Sequence, residues 1–546
     1  MLKKITGKSV TWTALDEMSP DALARLEGMV RGSKIDPGVP FIKNNTVRSA
    51  FLLEPNIEGY PRLFVKWFKK PVALQRIRYL FVPSKALAEW RNLRTLENRG
   101  LPCPRPLAFF EKRSCGLLKT ACLVIEGLEN AQPLNEFNRN CKLAASQKFN
   151  LTRQLARLSA AMHAAGIFSR DYHAGNIMIR PAGEGNFELF LIDLHKARVR
   201  KKLRLSMILT DCAKLSTSLP ASFTTRLRFA QEYYRHASLP AMPLNKFVRR
   251  INDKAARIKA RQILSRSKRC VLKSSVFEVA QTWKERYCGQ RDFGHNAARA
   301  LIAQHLNERD DQKIIKKTSK STLTTHDLKP GEILCVKGYR YRGIVYALLN
   351  MFRKSRALKS WINANGFIVR GMLTPQPLAM IEKRSGPLVR ENFYICRWLE
   401  KAPELNTYII GRQWPEPVKK RFIKCLAETI ITLHARGIYH GDLKSNNILV
   451  CEKDASWDFF FIDLDRVSFS RPLTFQRRTN NLAQINASIS DIMTPRDRLR
   501  FFRIYSKAAA CYTDRKRYFE RILTISRTKN TQSYGLDLTK QVGTGK

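Results

Sequence analysis

The sequence predicts an α+β chain in which one bilobal domain, with a small β-rich first lobe and a mostly helical second lobe, occurs twice in tandem. Three observations carry this. Ser84 to Arg113 (SKALAEWRNLRTLENRGLPCPRPLAFFEKR) aligns without a gap on Ser355 to Arg384 (SRALKSWINANGFIVRGMLTPQPLAMIEKR), an offset of 271 residues. The same offset carries Lys66 to Lys337, His163 to His434, Gly166 to Gly437, Asp171 to Asp442 and Asn176 to Asn447; one residue is then lost and Asp193 falls on Asp463. Within each copy, strand-like segments precede helix-like ones. A shared offset over hundreds of residues marks a repeat at the scale of a domain.

The elements follow in order. RSAFLLE and RLFVKWF are rich in apolar and β-branched residues, with turn residues NIEGYP between them, which predicts a hairpin. Pro83 to Asn98 has a helical pattern closed by Gly100 and Pro102. From Leu151 to Ala165, Leu155, Leu158 and Met162 share one helical face, and Gly166 ends the helix. Thr11-Trp12 recurs as Thr282-Trp283, so the seam is expected near Arg269 to Ser274. The expected domains are residues 1–272 and 273–530, with a flexible polar tail at 531–546.

Composition bounds the chemistry. With 44% hydrophobic and 10% aromatic residues, the 546-residue chain is globular in type, which excludes a disordered or collagen-like class. Lys and Arg number 98 against 45 Asp and Glu, a net charge of +53 that implies anionic partners: nucleic acid, acidic membrane or a phosphorylated glycolipid. The twelve cysteines form no C-x-x-C pair, so neither zinc nor a disulfide framework is expected and a reducing cytosol fits. The N-terminus lacks the apolar core of a secretory signal, and no stretch approaches the roughly 20 apolar residues of a spanning helix.

The most specific signal is a two-part motif present twice, SRDYHAGNIMI with LFLIDL and HGDLKSNNILV with FFFIDL. In each, an Asp precedes an Asn by five residues, and a second Asp ends a short apolar strand 22 or 21 residues after the first. That pattern suits phosphoryl transfer. The first Asp (Asp171, Asp442) orients the attacking hydroxyl, the Asn and second Asp (Asn176 and Asp193; Asn447 and Asp463) hold a divalent cation, and a strand lysine (Lys66, Lys337) clamps nucleotide phosphates.

Each copy resembles the protein-kinase-like fold, and specifically the bacterial lipopolysaccharide kinase family that phosphorylates Kdo or heptose sugars. The likeness rests on L-x-V-K, the E-W-R-N-L helix, P-x-P-L-A, H-x-x-G-I and D-x-x-x-x-N followed by I-D. It implies catalytic Asp171 and Asp442, metal ligands Asn176, Asp193, Asn447 and Asp463, and ATP with Mg²⁺ as cosubstrates. It also implies a cytoplasmic enzyme, peripheral to the inner face of the cytoplasmic membrane, acting on the lipopolysaccharide core or its lipid-linked precursor.

Departures from the family pattern set further expectations. Neither copy has a glycine-rich loop before its lysine; basic and hydroxyl residues stand there instead. Glu89 is the expected partner of Lys66, but copy two has Ser360 at that position and no acidic residue from Gly338 through Ile381. Two arrangements are open, two active copies or one active copy beside a pseudokinase, and in the second case copy two is the one expected to have lost transfer. Copy one has Asp211, a candidate brace for the catalytic loop, where copy two has Asn481; copy two keeps His440 where copy one has Ser169.

His163 and His434 are read as structural groups at helix ends where an imidazolium is favoured, and Trp90 and Trp361 as packing residues. His173 has two readings, a phosphate or metal contact and a structural one. Lys246 to Arg269 holds ten Lys or Arg in an amphipathic pattern, which reads as a membrane-surface helix or a solvated one, and RVRKKLR (198–204) has two readings, a dock for an anionic acceptor, favoured by its place just after Asp193, and a solvated run. The competing functions are a degenerate scaffold holding nucleic acid or membrane, and a kinase of the same fold acting on a protein or small molecule. Against nucleic acid, the aromatics lie in apolar segments and do not alternate with Arg and Lys.

Overall fold

A computed structural model describes residues 2–7, 9–31, 41–44, 47–53, 62–183, 185–219, 221–237, 242–329, 331–340, 353–454, 456–470, 473–508 and 514–538. The chain divides into two compact units, Met1–Ala260 and Arg261–Lys546. Each opens on a seven-stranded antiparallel sheet and continues into helices.

The first sheet comprises β1 (Leu2–Thr6), β2 (Thr11–Leu15), β3 (Phe41–Asn44), β4 (Arg48–Leu53), β5 (Leu63–Phe68), β6 (Pro106–Ser114) and β7 (Leu117–Glu126), in the order β1-β2-β6-β7-β5-β4-β3. The predicted hairpin is β4 and β5, paired antiparallel from Arg48↔Phe68 to Leu53↔Leu63; its turn, NIEGYP, lies outside the described residues. In the second unit the same order is built from Phe277–Gln281, Glu285–Gln290, Pro377–Ser385, Leu388–Arg397, Glu332–Arg340, Ser321–Lys329 and Ile314–Lys317.

Three helices of the first lobe matter here: α1 (Pro20–Arg31), α2 (Ala73–Phe81) and α3 (Lys85–Glu97). The predicted helix over Pro83 to Asn98 is α3. Its N-cap Ser84 accepts from the Leu87 amide at 3.1 Å, satisfying a donor that the first turn leaves orphaned. In the second unit Ser355 accepts from Leu358 in the same way at 3.1 Å, opening helix Arg356–Val369. Trp90 packs on Phe109 with ring centroids 5.0 Å apart, and Trp361 is buried with its Nε1 donating to the Cys270 carbonyl at 2.8 Å, so both act as packing residues.

Helix Ala145–Ala164 begins earlier than Leu151 and carries Leu155, Leu158 and Met162 into the core shared with α3 and the hairpin Ile177–Pro181/Phe187–Leu191. Among the described residues no helix is long and apolar enough to cross a membrane.

Three expectations are revised. Helix Leu244–Ser267 forms over the basic segment, but its apolar face is occupied: Phe247 and Ile251 are buried against Tyr233 and its neighbours, and Ala255 is buried as well. Withdrawing Phe247 or Ile251 to a membrane would forfeit about 1.5–3 kcal/mol of burial each. The units divide inside this helix and not at 272/273, because chain before that seam already bonds within the second unit: Arg370 donates to Ser267 Oγ at 3.0 Å and Trp361 to Cys270. The tail expected at 531–546 is helical through Leu538, continuing helix Arg515–Leu538, since extending an anchored helix adds one hydrogen bond per residue fixed.

Candidate active sites

In the first unit, β5 carries Lys66 between Ala50 of β4 and Leu123 of β7, and strand alternation turns its side chain toward α3. There Lys66 Nζ donates to Glu89 Oε1 at 2.6 Å and lies 3.6 Å from Asp193 Oδ1. The pair is deeply buried, Lys66 being 6% and Glu89 1% exposed. The other Glu89 oxygen, Oε2, is buried without a hydrogen-bond partner.

Asp193 follows strand Phe187–Leu191 in the left-handed region at φ 56°, and Asp463 of the second unit repeats this at φ 57°. The same uncommon conformation at both positions turns each carboxylate out of its strand. Asp193 Oδ1 accepts from His195 Nδ1 at 2.9 Å and stands 3.8 Å from Arg48. Burial alone would lift the Asp193 carboxyl, but the His195 hydrogen bond and the Lys66 and Arg48 charges hold it well below the ordinary range.

Asp171 lies on the loop that follows Ile167–Phe168. Its Oδ2 accepts from Lys196 Nζ at 2.6 Å, and His173 Nε2 is 3.8 Å from Oδ1. Partial burial opposes ionisation, yet Lys196, His173 and Lys214 together hold the carboxyl below its ordinary 3.8. Asn176 Nδ2 donates to the Asp171 carbonyl at 3.0 Å, leaving its amide oxygen available to a cation. His173 meets its structural reading, since its Nδ1 accepts from the Gly175 amide at 3.1 Å and caps the turn Ala174–Asn176. RVRKKLR follows Lys196 on the same segment, with Arg198, Arg200, Lys201, Lys202 and Arg204 exposed.

The loop is braced from helix Leu205–Ser218, where fully buried Asp211 accepts from the Ser169 amide at 2.8 Å and lies 3.5 Å from His163 Nε2. In the second unit a neutral chain replaces it. Asn481 Oδ1 accepts from the His440 amide at 3.3 Å and its Nδ2 donates to Gln484, whose Oε1 accepts from the Leu443 amide at 2.9 Å. His163 and His434 are held by Tyr233 and Tyr505 at 2.8 and 2.7 Å. Both are structural, but burial pushes His434 down to about 4, so it is neutral and not the imidazolium expected at a helix end.

The second site departs where Ser360 replaces Glu89. Lys337 Nζ, without that carboxylate, donates to Asp463 Oδ1 at 2.8 Å. Ser360 meets the Tyr339 hydroxyl at 3.2 Å, and Arg356 lies over the Tyr339 ring while donating to Asp465 at 2.6 Å. Asp442 has Lys444 3.7 Å away, and Asn447 Nδ2 donates to its carbonyl at 2.8 Å. A cavity of about 870 Å³ lies among Lys337, Tyr339, Arg356, Asn447 and Asp463, a volume in the range of small-molecule sites. His440 is fully buried, with Nε2 3.0 Å from the Ile462 carbonyl.

The structure thus brings Lys66, Glu89 and Asp193 together in the first unit, with Asp171 and Asn176 bonded to each other on one loop, and sets Lys337, Asn447 and Asp463 around the cavity of the second, with Asp442 bonded to Asn447. Lys196, His195, Tyr339, Arg356 and Asp465 were missed; comparing positions 195–196 with 465–466 across the repeat is the signal that marks three of them. The fit to a divalent cation is good in both units: Asn and Asp offer oxygen donors, as a hard cation such as Mg²⁺ requires, and Asp193 and Asp463 are both held ionised.

Residues 55–231 and 345–505 match the family model described as "Lipopolysaccharide kinase (Kdo/WaaP) family". A protein named 3-deoxy-D-manno-octulosonic acid kinase from Xanthomonas axonopodis pv. citri (strain 306) is 35% identical over 130 residues, which is 23% of this chain and 48% of that protein. One of the same name from Haemophilus influenzae (strain PittEE) is 31% identical over 127 residues, 22% of this chain and 51% of its own length. The chain spans about half the length of the curated relatives it matches. The solved structure "WaaP in complex with acyl carrier protein" is similar at 23% identity with a TM-score of 0.32, covering 40% of this chain and 86% of that one.

Proposed function

The chain belongs to the lipopolysaccharide kinase (Kdo/WaaP) family, and on that premise we propose that its first unit transfers the γ-phosphoryl group of ATP to a sugar hydroxyl of the lipopolysaccharide inner core, Kdo or heptose. The observation that carries the reading is the Lys66–Glu89 pair at 2.6 Å beside Asp193, in one unit with the loop bearing Asp171 and Asn176. Lys66, fixed by Glu89, meets nucleotide phosphates. Asp171, ionised well below neutral pH, is a weak base; it accepts a hydrogen bond from the acceptor hydroxyl and aims its oxygen, taking the proton as the new O–P bond forms and the β–γ bridging bond breaks. Asn176 and Asp193 would hold Mg²⁺, which neutralises charge on the phosphates when bound.

Lys196 and the exposed Arg198, Arg200, Lys201, Lys202 and Arg204 suit an acidic sugar phosphoglycolipid at the cytoplasmic face of the inner membrane. For the second unit a different reading is favoured by one observation, the 2.8 Å bond between Lys337 and Asp463. It ties the phosphate clamp to the cation ligand, so this unit binds nucleotide in its cavity without efficient transfer.

The test is Mg²⁺-dependent phosphate transfer from ATP to rough-type lipopolysaccharide precursor by the intact chain, Asp171→Asn and Asp442→Asn. Asp171→Asn should lower the rate by about 10²–10⁴-fold, the usual worth of a positioned acid–base group, and Asp442→Asn should change it little. Full activity in Asp171→Asn with loss in Asp442→Asn reverses the assignment. Absence of both transfer and nucleotide binding in the parent favours the scaffold reading.

A further inference from the structure

Helix α2 connects β5 to α3 and, among the described residues of the first unit, presents several exposed apolar side chains in a row. Phe81 is 85% exposed, and Ile77, Leu80, Val72 and Val82 are exposed around it. At about 100° per residue, Ile77, Leu80 and Phe81 share one face. Arg76 and Arg78 fall to either side of it, and Tyr79 points the opposite way, where it packs into the core formed by Trp90, Leu118 and Leu123. The helix is therefore oriented by its own packing, with its apolar stripe turned outward. Arg113 fixes its far end to the tip of the β6–β7 hairpin by donating to the Tyr79 carbonyl at 3.1 Å and the Gly116 carbonyl at 3.0 Å. Leu80 lies against Gly116, close enough that a Cβ there would stand 3.4 Å from Leu80 Cδ2.

An apolar stripe flanked on both sides by arginine has the physical form of a helix lying in a lipid–water interface. The local charge agrees. From Lys69 to Ala88 there are five Lys or Arg and no acidic residue. The element that sequence pattern favoured for this role, helix Leu244–Ser267, has its apolar face buried in the protein. At the repeat offset of 271, the second copy carries IVYALLNMF (344–352), again apolar, outside the described residues.

We propose that α2 docks the chain on an anionic lipid bilayer, with Ile77, Leu80 and Phe81 entering the acyl boundary and Arg76 and Arg78 meeting headgroup phosphates. This rests on the reading that the acceptor is a membrane-borne glycolipid. Ile77, Leu80 and Phe81 are exposed and none of them is among the catalytic residues assigned above, so docking and transfer are separable by substitution of the stripe.

The test is sedimentation of the full chain with phosphatidylcholine vesicles, with and without phosphatidylglycerol, beside phosphate transfer to a deacylated, water-soluble core oligosaccharide. The parent should bind the anionic vesicles, less so in high salt. In I77E/F81E vesicle affinity should fall by about tenfold or more, with transfer to the soluble acceptor unchanged. R76Q/R78Q should weaken binding and flatten its salt dependence. Failure of the parent to bind anionic vesicles overturns the proposal, as does parent-like binding by I77E/F81E. So does retained vesicle binding when I77E/F81E converts an oligomer to a monomer, which would make the stripe a contact between copies of the chain. A parent that transfers no phosphate to the soluble acceptor fails the kinase reading, and vesicle binding reports on docking independently of that result.

Discussion

Replacing Glu89 with serine, the residue of the second copy, should give the first site the second site's geometry. Lys66 and Glu89 form a contact of 2.6 Å with both side chains nearly inaccessible. Breaking a buried pair from one side costs about 3–5 kcal/mol, because the remaining charge is stranded. Here Lys66 keeps a second anion, Asp193 Oδ1 at 3.6 Å, so the lower end, about 3 kcal/mol, applies.

At about 2–4 °C per kcal/mol for a unit of this size, the melting temperature of the first unit should fall by roughly 6–12 °C. Lys66 then closes on Asp193 as Lys337 already does on Asp463, and the fixed phosphate clamp is lost. A charge-assisted hydrogen bond worth about 1.5–3 kcal/mol converts to roughly a 10- to 100-fold loss in kcat/KM. The assay is steady-state transfer with ATP varied, beside thermal unfolding. Adding Lys66→Met, which removes the stranded ammonium, should recover most of the melting temperature and none of the transfer. Transfer at the parent rate in Glu89→Ser would refute the reasoning; a lowered melting temperature with unchanged transfer would show that the pair serves the fold alone.

Three further predictions are independent of that pair. Asp171 titrates below its ordinary 3.8 with Lys196 as its closest cation, so Lys196→Met should move the acid limb of kcat/KM upward in pH, and an unmoved limb would reject the contact. His434 and His305 are both pushed down to about 4 by burial, from an ordinary 6.5. Between those values the unfolded chain binds protons that the folded one refuses, so stability of the second unit should fall as pH drops from 6.5 toward 4, by up to about 3 kcal/mol per histidine. His434→Asn should flatten that fall in a melting-temperature profile. Arg170 sits at φ 61°, where the second copy has Gly441 at φ 79°; Arg170→Gly should stabilise by roughly 0.5–1 kcal/mol and leave transfer intact, checked by chemical unfolding.

Much of both sites was legible because the chemistry constrains both residue type and spacing. Lys66, Asp171, Asn176, Asp193 and their counterparts recur at a nearly constant offset, and Glu89 sits on a helix whose period could be counted. The partners of these residues were harder to read. Lys196 reaches Asp171 only because the chain turns sharply at Asp193, a left-handed residue that no periodicity marks. Helix Leu244–Ser267 was legible as amphipathic, but amphipathicity does not say what covers the apolar face; tertiary packing assigned it to Tyr233 and the neighbouring helices. The reverse holds for α2, where nine residues were too few to stand out among longer patterns and only the packing of Tyr79 fixed which face points outward.

The two clefts also differ as sets and not residue by residue. Aligning them pairs Glu89 with Ser360, Phe68 with Tyr339, Lys85 with Arg356 and His195 with Asp465. One carboxylate has left the helix and another has arisen two residues beyond the strand-end aspartate. The partners are exchanged: Lys66 has Glu89 and Asp193, with Arg48 3.8 Å from Asp193, whereas Lys337 has Asp463 and Arg356 has Asp465. Random loss of Glu89's counterpart alone would leave an uncompensated cation beside buried Tyr339. Instead Arg356 pairs with Asp465 at 2.6 Å and Tyr339 closes on Ser360 at 3.2 Å. Each of Lys337 and Arg356 has a carboxylate partner, while the connection from helix to lysine is absent. A cleft that merely decayed has no need of that pairing, whereas one that must still hold an anionic ligand beside Lys337 does, and the cavity around Lys337 and Asp463 agrees with the second case.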